Sequence, residues 1–150
     1  MTERSIAHGT FVVERNYKAS PAKVFAAFAD PAIKNKWFGG PEEQNAKRSF
    51  DFRVGGKESN TGEFHGSTYS FDALYQDIIP NERIIYTYDM HLNGERISVS
   101  LATIEFKPTP AGTHMIVTEN GAFLDGLDNV KQREAGTNGL MDALGRVVEG

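Results

Sequence analysis

Cysteine is absent from the 150 residues, and that excludes disulfides, thiol catalysis and cysteine-ligated zinc together. Long apolar runs are missing too: no stretch approaches the about 18 consecutive apolar residues that a membrane-spanning helix needs, so no membrane span is expected. The opening residues, Met1 to His8, carry no basic segment followed by an apolar one. They do not read as a secretory signal, and a cytoplasmic location is expected. An excess of positive charge is also lacking. Sixteen Lys and Arg against twenty Asp and Glu give a formal charge of −4, the wrong sign for a nucleic-acid binder, and no Lys/Arg cluster offsets it.

The motifs of common chemistries are equally scarce. The four histidines, His8, His65, His91 and His114, fall in no metal-ligand spacing. No serine occupies a Gly-x-Ser-x-Gly elbow, and no glycine-rich phosphate loop follows a strand pattern. The expectation is therefore no metal, no cofactor and no motif-borne catalytic residue. Glu63 and His65, two apart on an expected strand, form one pair that could share a face. It reads as a surface pair before it reads as an acid–base or metal site.

What is present is the balance of a globular protein, 39% hydrophobic and 24% charged. A chain of this length forms one domain, residues 1–150, and buries roughly 70% of its unfolded surface without staples. Residues 1–9 are polar and expected to fray. Phe11, Val13, Arg15 and Tyr17 then alternate with polar neighbours, the period of a half-buried strand. Ser20-Pro21 caps a short helix whose apolar face is Val24, Phe25 and Phe28, and Asp30-Pro31 opens a second through Lys36. Trp37-Phe38-Gly39-Gly40-Pro41 closes this insert. Strand patterns follow over 46–54, 57–64 (polar and expected to be exposed), 67–79, 83–92, 97–106 and 113–122. Asn93-Gly94 gives the strongest hairpin signal, since both residues tolerate positive φ. Last comes a long amphipathic pattern over 127–149. Its inner stripe is apolar at Leu140, Met141, Leu144, Val147 and Val148, but small or polar further back at Val130, Arg133, Gly136 and Thr137. A helix of this kind packs tightly at its C-terminal end and stands off a sheet at its N-terminal end, leaving a cavity. The class is α+β, with about six or seven mainly antiparallel strands, two short helices after the first strand and a long C-terminal helix.

Several phrases in this order carry a resemblance. Ala19-Ser-Pro-Ala-Lys-Val-Phe25, Asp30-Pro31, Trp37-Phe38, Phe52-Arg53-Val54-Gly55-Gly56, the run from Tyr75 through Pro80 to Thr87, and Gly112-Thr113 resemble the START-like, helix-grip superfamily (SRPBCC). Within it the chain is most similar to the family named after the activator of heat-shock-protein-90 ATPase homologue, over residues 10–148. The pattern departs at Gly139-Leu140, where such proteins often carry Gly-Trp. The resemblance implies a curved sheet gripping the terminal helix around a hydrophobic cavity. Superfamily members bind lipids, hormones or polyketides, and some act as aromatase/cyclases.

The candidate ligand-binding residues are Trp37, Tyr69, Phe71, Tyr75, Tyr86, Tyr88, Arg133, Gly136 and Leu140. Aromatics at period two commonly just build a core. As cavity walls, each tyrosine adds one hydroxyl that must find a partner in the protein, a ligand or water. Arg15 and Arg133 both lie on inward faces, and a buried guanidinium needs a carboxylate, a ligand anion or solvent. Arg133 either snorkels to solvent at the open end of the helix, pairs with a sheet carboxylate such as Glu105 or Glu119, or orients the acidic or carbonyl end of an apolar ligand, with Gly136 giving it room.

Three functions are compatible with these features. The first is a binder of a small hydrophobic or amphipathic molecule, lipid-like or aromatic, held between sheet and helix. The second is a polyketide cyclase/dehydratase-like enzyme, which requires a proton-transfer group in the cavity, with His91, His114 or Glu119 the candidates if they face inward. The third is an interaction domain with a chaperone partner, suggested by the family name alone, which predicts an exposed apolar patch.

Overall fold

A computed structural model of the chain describes residues 3–150. The first strand, β1 (Ile6–Tyr17), is followed by the short helices α1 (Pro21–Ala29) and α2 (Pro31–Lys34). Six strands then run in succession: β2 (Gln44–Phe50), β3 (Lys57–Phe64), β4 (Ser67–Ile79), β5 (Arg83–Leu92), β6 (Glu95–Thr109) and β7 (Gly112–Leu124). The chain closes with α3 (Val130–Glu149). All seven strands form one antiparallel sheet in the order β1-β7-β6-β5-β4-β3-β2, so the chain's first strand lies beside its last. This is the α+β helix-grip arrangement that the order of patterns predicts. Among the described residues no helix is long and apolar enough to cross a membrane.

Local chemistry sets the element ends. Ser20 accepts a bond from the Lys23 amide and Pro21 fills the first turn of α1, while Asp30 caps α2 in the same way through Ala32. Asn93 and Gly94 take positive φ values of 50° and 83°, the geometry that joins two twisted strands in two residues. Asn129 caps α3 by accepting from the Gln132 amide, so the helix begins at Val130 and Leu127 lies in an exposed turn before it.

The sequence reading needs four further corrections. Residues 6–9, expected to fray, pair with 121–124 of β7; Met1 and Thr2 lie outside the described residues. Strand β2 covers 44–50 rather than 46–54, because Asp51 to Gly56 form a loop of their own, anchored by the Gly55 amide on the Tyr75 carbonyl. Helix α2 ends at Lys34. Strand β3 is not an exposed polar edge: β2 covers its outer side, and Glu58, Asn60 and Gly62 are buried on the sheet's inner face.

The sealed core lies where α1 and the C-terminal half of α3 pack on the inner faces of β1, β6 and β7. Val24, Ile104, Met115, Leu144 and Val148 are buried there to within 2%. Phe28 meets Trp37 edge-on at 4.9 Å, and the Trp37 indole N–H donates to the Ala27 carbonyl at 3.0 Å. Tyr17 ties α3 to the sheet by donating to the Met141 carbonyl at 2.6 Å, and burial raises its phenol pKa well above the ordinary value. Arg15 on the same strand reaches Asp142 and Asn138 of α3, so the inward guanidinium finds its carboxylate on the helix. At the other end, a Cβ added to Gly9 would lie 2.6 Å from the Val130 Cβ. The start of α3 therefore crosses β1 at a position only glycine can occupy.

Candidate functional site: a cavity between the sheet and the last helix

Between Val130, which packs on β1 at Gly9, and Met141, α3 stands off strands β4 and β5. Gly136 and Gly139 are exposed, and nothing stands within 4 Å of a Cβ built on either. The space between them and strands β4 and β5 is a cavity of about 470 Å³. Strand pairing lays its floor. Phe71 stands opposite Met90, Ala73 opposite Tyr88 and Tyr75 opposite Tyr86, which puts the aromatics of both strands on one face. Neighbouring rings meet at 4.9 Å for Phe71–Tyr88 and 5.8 Å for Tyr75–Tyr86. Trp37, Phe38 and the Gly39–Gly40 turn form one wall, and Arg133, Thr137 and Leu140 of α3 form the roof.

All nine candidate residues border this one cavity: Tyr69, Phe71 and Tyr75 from β4, Tyr86 and Tyr88 from β5, Trp37 from the helical insert, and Arg133, Gly136 and Leu140 from α3. The histidine candidates do not. His65 occupies the β3–β4 turn with φ 49° and meets Glu42, while Glu63 bonds Asn45, so the supposed pair is split. His114 bridges Glu14 and Asn16 on the outer face, and His91 lies 3.9 Å from Asp89.

Two polar groups interrupt the apolar walls. At the first, Tyr88 donates to Glu119 Oε1 at 2.5 Å and accepts from Arg133 Nη1 at 3.0 Å. Arg133 also donates to the Ser98 hydroxyl at 2.8 Å and pairs with Asp128. The expected carboxylates, Glu105 and Glu119, are not its direct partners; Asp128 is, because the turn before α3 brings it back over its own helix. Glu119 faces inward and is 5% exposed. Burial pushes its carboxyl pKa above the ordinary value, against the opposing pull of the Tyr88 hydrogen bond and Arg133. The Tyr88 phenol is pushed up by burial and by Glu119.

At the second, Lys34 Nζ lies 2.6 Å from Glu58 Oε1, and the Tyr75 hydroxyl donates to the same oxygen at 2.5 Å. The ammonium stands over the Phe38 and Phe50 rings at 4.6 and 5.0 Å. Burial lowers the Lys34 pKa, and the pairing with Glu58 opposes it. Tyr86 lies between the two groups. Burial raises its phenol pKa, with Glu119 and Glu58 adding to the rise through space. Nearby, Arg48 clamps the wall by bonding Asn60, Glu43 and the Phe38 carbonyl.

Lys34 and Glu58 were not among the sequence candidates. A signal for Glu58 existed. The two-residue turn His65-Gly66, both at positive φ, fixes the β3–β4 register and sets Glu58 opposite Ala73, on the face of Phe71 and Tyr75. For Lys34 the four-residue helix has too short a period to reveal an inward lysine.

Among solved structures, an uncharacterised protein of Rhizobium leguminosarum is 43% identical, with 99% of each chain covered and a TM-score of 0.94. A Rhizobium loti protein is 44% identical over 95% of this chain and 99% of its own, with a TM-score of 0.89. A protein in the dynemicin biosynthetic locus shares the fold at 19% identity and a TM-score of 0.69, over 93% of this chain and 47% of its own. No curated protein matches the sequence. The sequence model for activator of Hsp90 ATPase homolog 1-like proteins matches residues 18–149, nearly the whole chain. The chain belongs to the activator of Hsp90 ATPase homolog 1-like family.

Proposed function

We propose that the protein binds one small, largely apolar molecule, lipid-like or aromatic, in the cavity between the sheet and α3. The observation that carries this reading is the cavity, of the size that holds small ligands, walled by Trp37, Phe71, Tyr86 and Leu140 and broken by two polar groups. Burial supplies the affinity at about 25 cal/mol per Å² of apolar surface, and the Arg133–Tyr88–Glu119 group orients a carbonyl or hydroxyl end. Arg133 is already paired with Asp128, which favours a neutral polar end over a second carboxylate. An NMR titration of labelled protein with fatty acids, flavonoids, sterols and aromatic polyketides tests it. Saturable shifts at Trp37, Tyr86, Gly136 and Leu140 support the reading. Silence at these residues across the panel refutes it and turns the search to protein partners, including the chaperone system in the family's description.

A cyclase/dehydratase-like activity is the second reading, and Glu119 favours it. An inward carboxyl with a raised pKa, bonded to Tyr88, can hold a proton nearer neutrality and pass it to a bound carbonyl compound. This reading predicts that a bound polyketide turns over, and that Glu119→Gln retains binding while losing turnover.

A further inference from the structure

Lys34 is the one lysine of the described chain buried to 7% exposure, and it borders the cavity. A structural ion pair would account for the Lys34–Glu58 contact alone. It does not account for three other features. Lys34 lines the cavity, the Tyr75 hydroxyl converges on the same Glu58 oxygen, and the Phe38 and Phe50 rings stand over the nitrogen. An amine, a proton acceptor and a hydroxyl within bonding reach, beside a largely apolar cavity, are the parts of an imine-forming site.

We propose that Lys34 forms an imine with an apolar aldehyde or ketone bound in the cavity. This rests on the ligand-binding reading above and narrows its ligand to carbonyl compounds. Glu58 takes a proton from the Lys34 ammonium, and the freed nitrogen lone pair attacks the carbonyl carbon. The C–N bond forms as the carbonyl π bond breaks, and one of the two protons left on nitrogen passes to the oxygen to give a neutral carbinolamine. Nitrogen then expels the hydroxyl, which leaves as water on receiving the proton held by Glu58, directly or through the Tyr75 hydroxyl. Ammonium and carbonyl become iminium and water, charge is conserved, and no oxidant or reductant takes part. The Glu58 carboxylate, again ionised, stands beside the iminium as counter-ion. Burial of the amine assists the first step, because it holds the proton less tightly than a surface lysine does.

The test incubates the protein with a series of aromatic and long-chain aldehydes and cyanoborohydride, maps the adducts by peptide mass, and repeats NMR titrations with the aldehydes and their matching alcohols. The expected result is one dominant adduct on Lys34. Burial lowers the Lys34 pKa, and the bound aldehyde is held beside this amine and not beside exposed lysines such as Lys47, Lys107 and Lys131. The alcohols should bind in the same place without adduct and compete with the trapping. The double variant Lys34→Met/Glu58→Gln, which leaves no buried charge unpaired, should fold, bind the alcohols and give no dominant adduct. Alcohol and aldehyde both binding with labelling spread over surface lysines would overturn the imine and leave the binding reading standing. Neither binding would overturn both.

Discussion

Three glycines lie within ten residues of one helix, and the structure assigns them opposite responses to the same methyl group. Gly136 and Gly139 line the cavity with nothing within 4 Å of an added Cβ, whereas a Cβ on Gly145 would stand 3.0 Å from Tyr17 Cε1. Alanine in a helix interior is favoured over glycine by about 0.8–1.0 kcal/mol. Gly136→Ala/Gly139→Ala should therefore stabilise the protein by about 2 kcal/mol, since the two sites share no partner. That is a rise in Tm of about 4–8 °C for a domain of this size. Gly145→Ala receives the same propensity gain but must push back a ring whose hydroxyl is held at 2.6 Å by the Met141 carbonyl. Overpacking of that kind costs about 1–3 kcal/mol, so the net effect should be zero to destabilising. Urea and thermal unfolding of the three variants measure this directly. The new methyls on 136 and 139 also enter the cavity's rim, so the stabilised double variant should lose affinity first for the bulkiest members of the ligand panel. If Gly136→Ala and Gly139→Ala destabilise, or Gly145→Ala gains as much as they do, the stand-off of the N-terminal half of α3 is wrong.

Arg133→Met strands Asp128, 9% exposed in its side chain, and should cost about 3–5 kcal/mol in urea unfolding, with much of it recovered by adding Asp128→Asn. Tyr17→Phe removes the buried bond to the Met141 carbonyl and should cost about 1 kcal/mol without changing ligand affinity, since Tyr17 lies outside the cavity. Glu119 has a raised folded-state pKa, so its contribution to stability is full below its ordinary value of 4.5 and is lost as pH rises through the folded value. Glu119→Gln, which cannot ionise, should gain on the wild type in urea midpoint as pH rises above the ordinary carboxyl value of 4.5; a difference that does not change with pH would refute the assignment.

The inner stripe of α3 shows how far periodicity alone reads this molecule. The apolar half, Met141, Leu144 and Val148, is buried, and the polar half, Arg133 and Gly136, borders a cavity, because a helix face that lacks apolar side chains cannot close on a sheet. The β4 and β5 aromatics were equally legible, since Tyr69, Phe71, Ala73 and Tyr75, and Tyr86, Tyr88 and Met90, recur at every second residue and so share a face. The polar partners were not. Glu58 and Asn60 sit on a strand whose composition reads as solvent-facing, and only register, set by a turn, turns them inward. Asp128 meets Arg133 through the geometry of a helix entrance, which has no sequence period. The chain between 51 and 54 alternates like a strand but loops with Gly55-Gly56, because its backbone groups bond locally and to Tyr75.

The distribution of buried charge argues that the cavity is more than a packing fault. A buried ion pair is weak support for stability, and apolar residues of similar volume do as well or better. Taken as whole residues, the most buried charged groups among the described residues are Lys34, Glu58 and Glu119, 5–7% exposed. None lies in the sealed core around Leu144, where the C-terminal half of α3 packs. Lys34 and Glu119 border the cavity, and Glu58 stands directly behind Lys34 and Tyr75. Folding alone gives no reason to place desolvated charge along one wall, with a tyrosine hydroxyl on each carboxylate and Tyr86 between them. Recognition of a molecule with polar atoms spaced along an apolar body does give one, and the destabilisation those groups impose is then the cost of having partners ready for it.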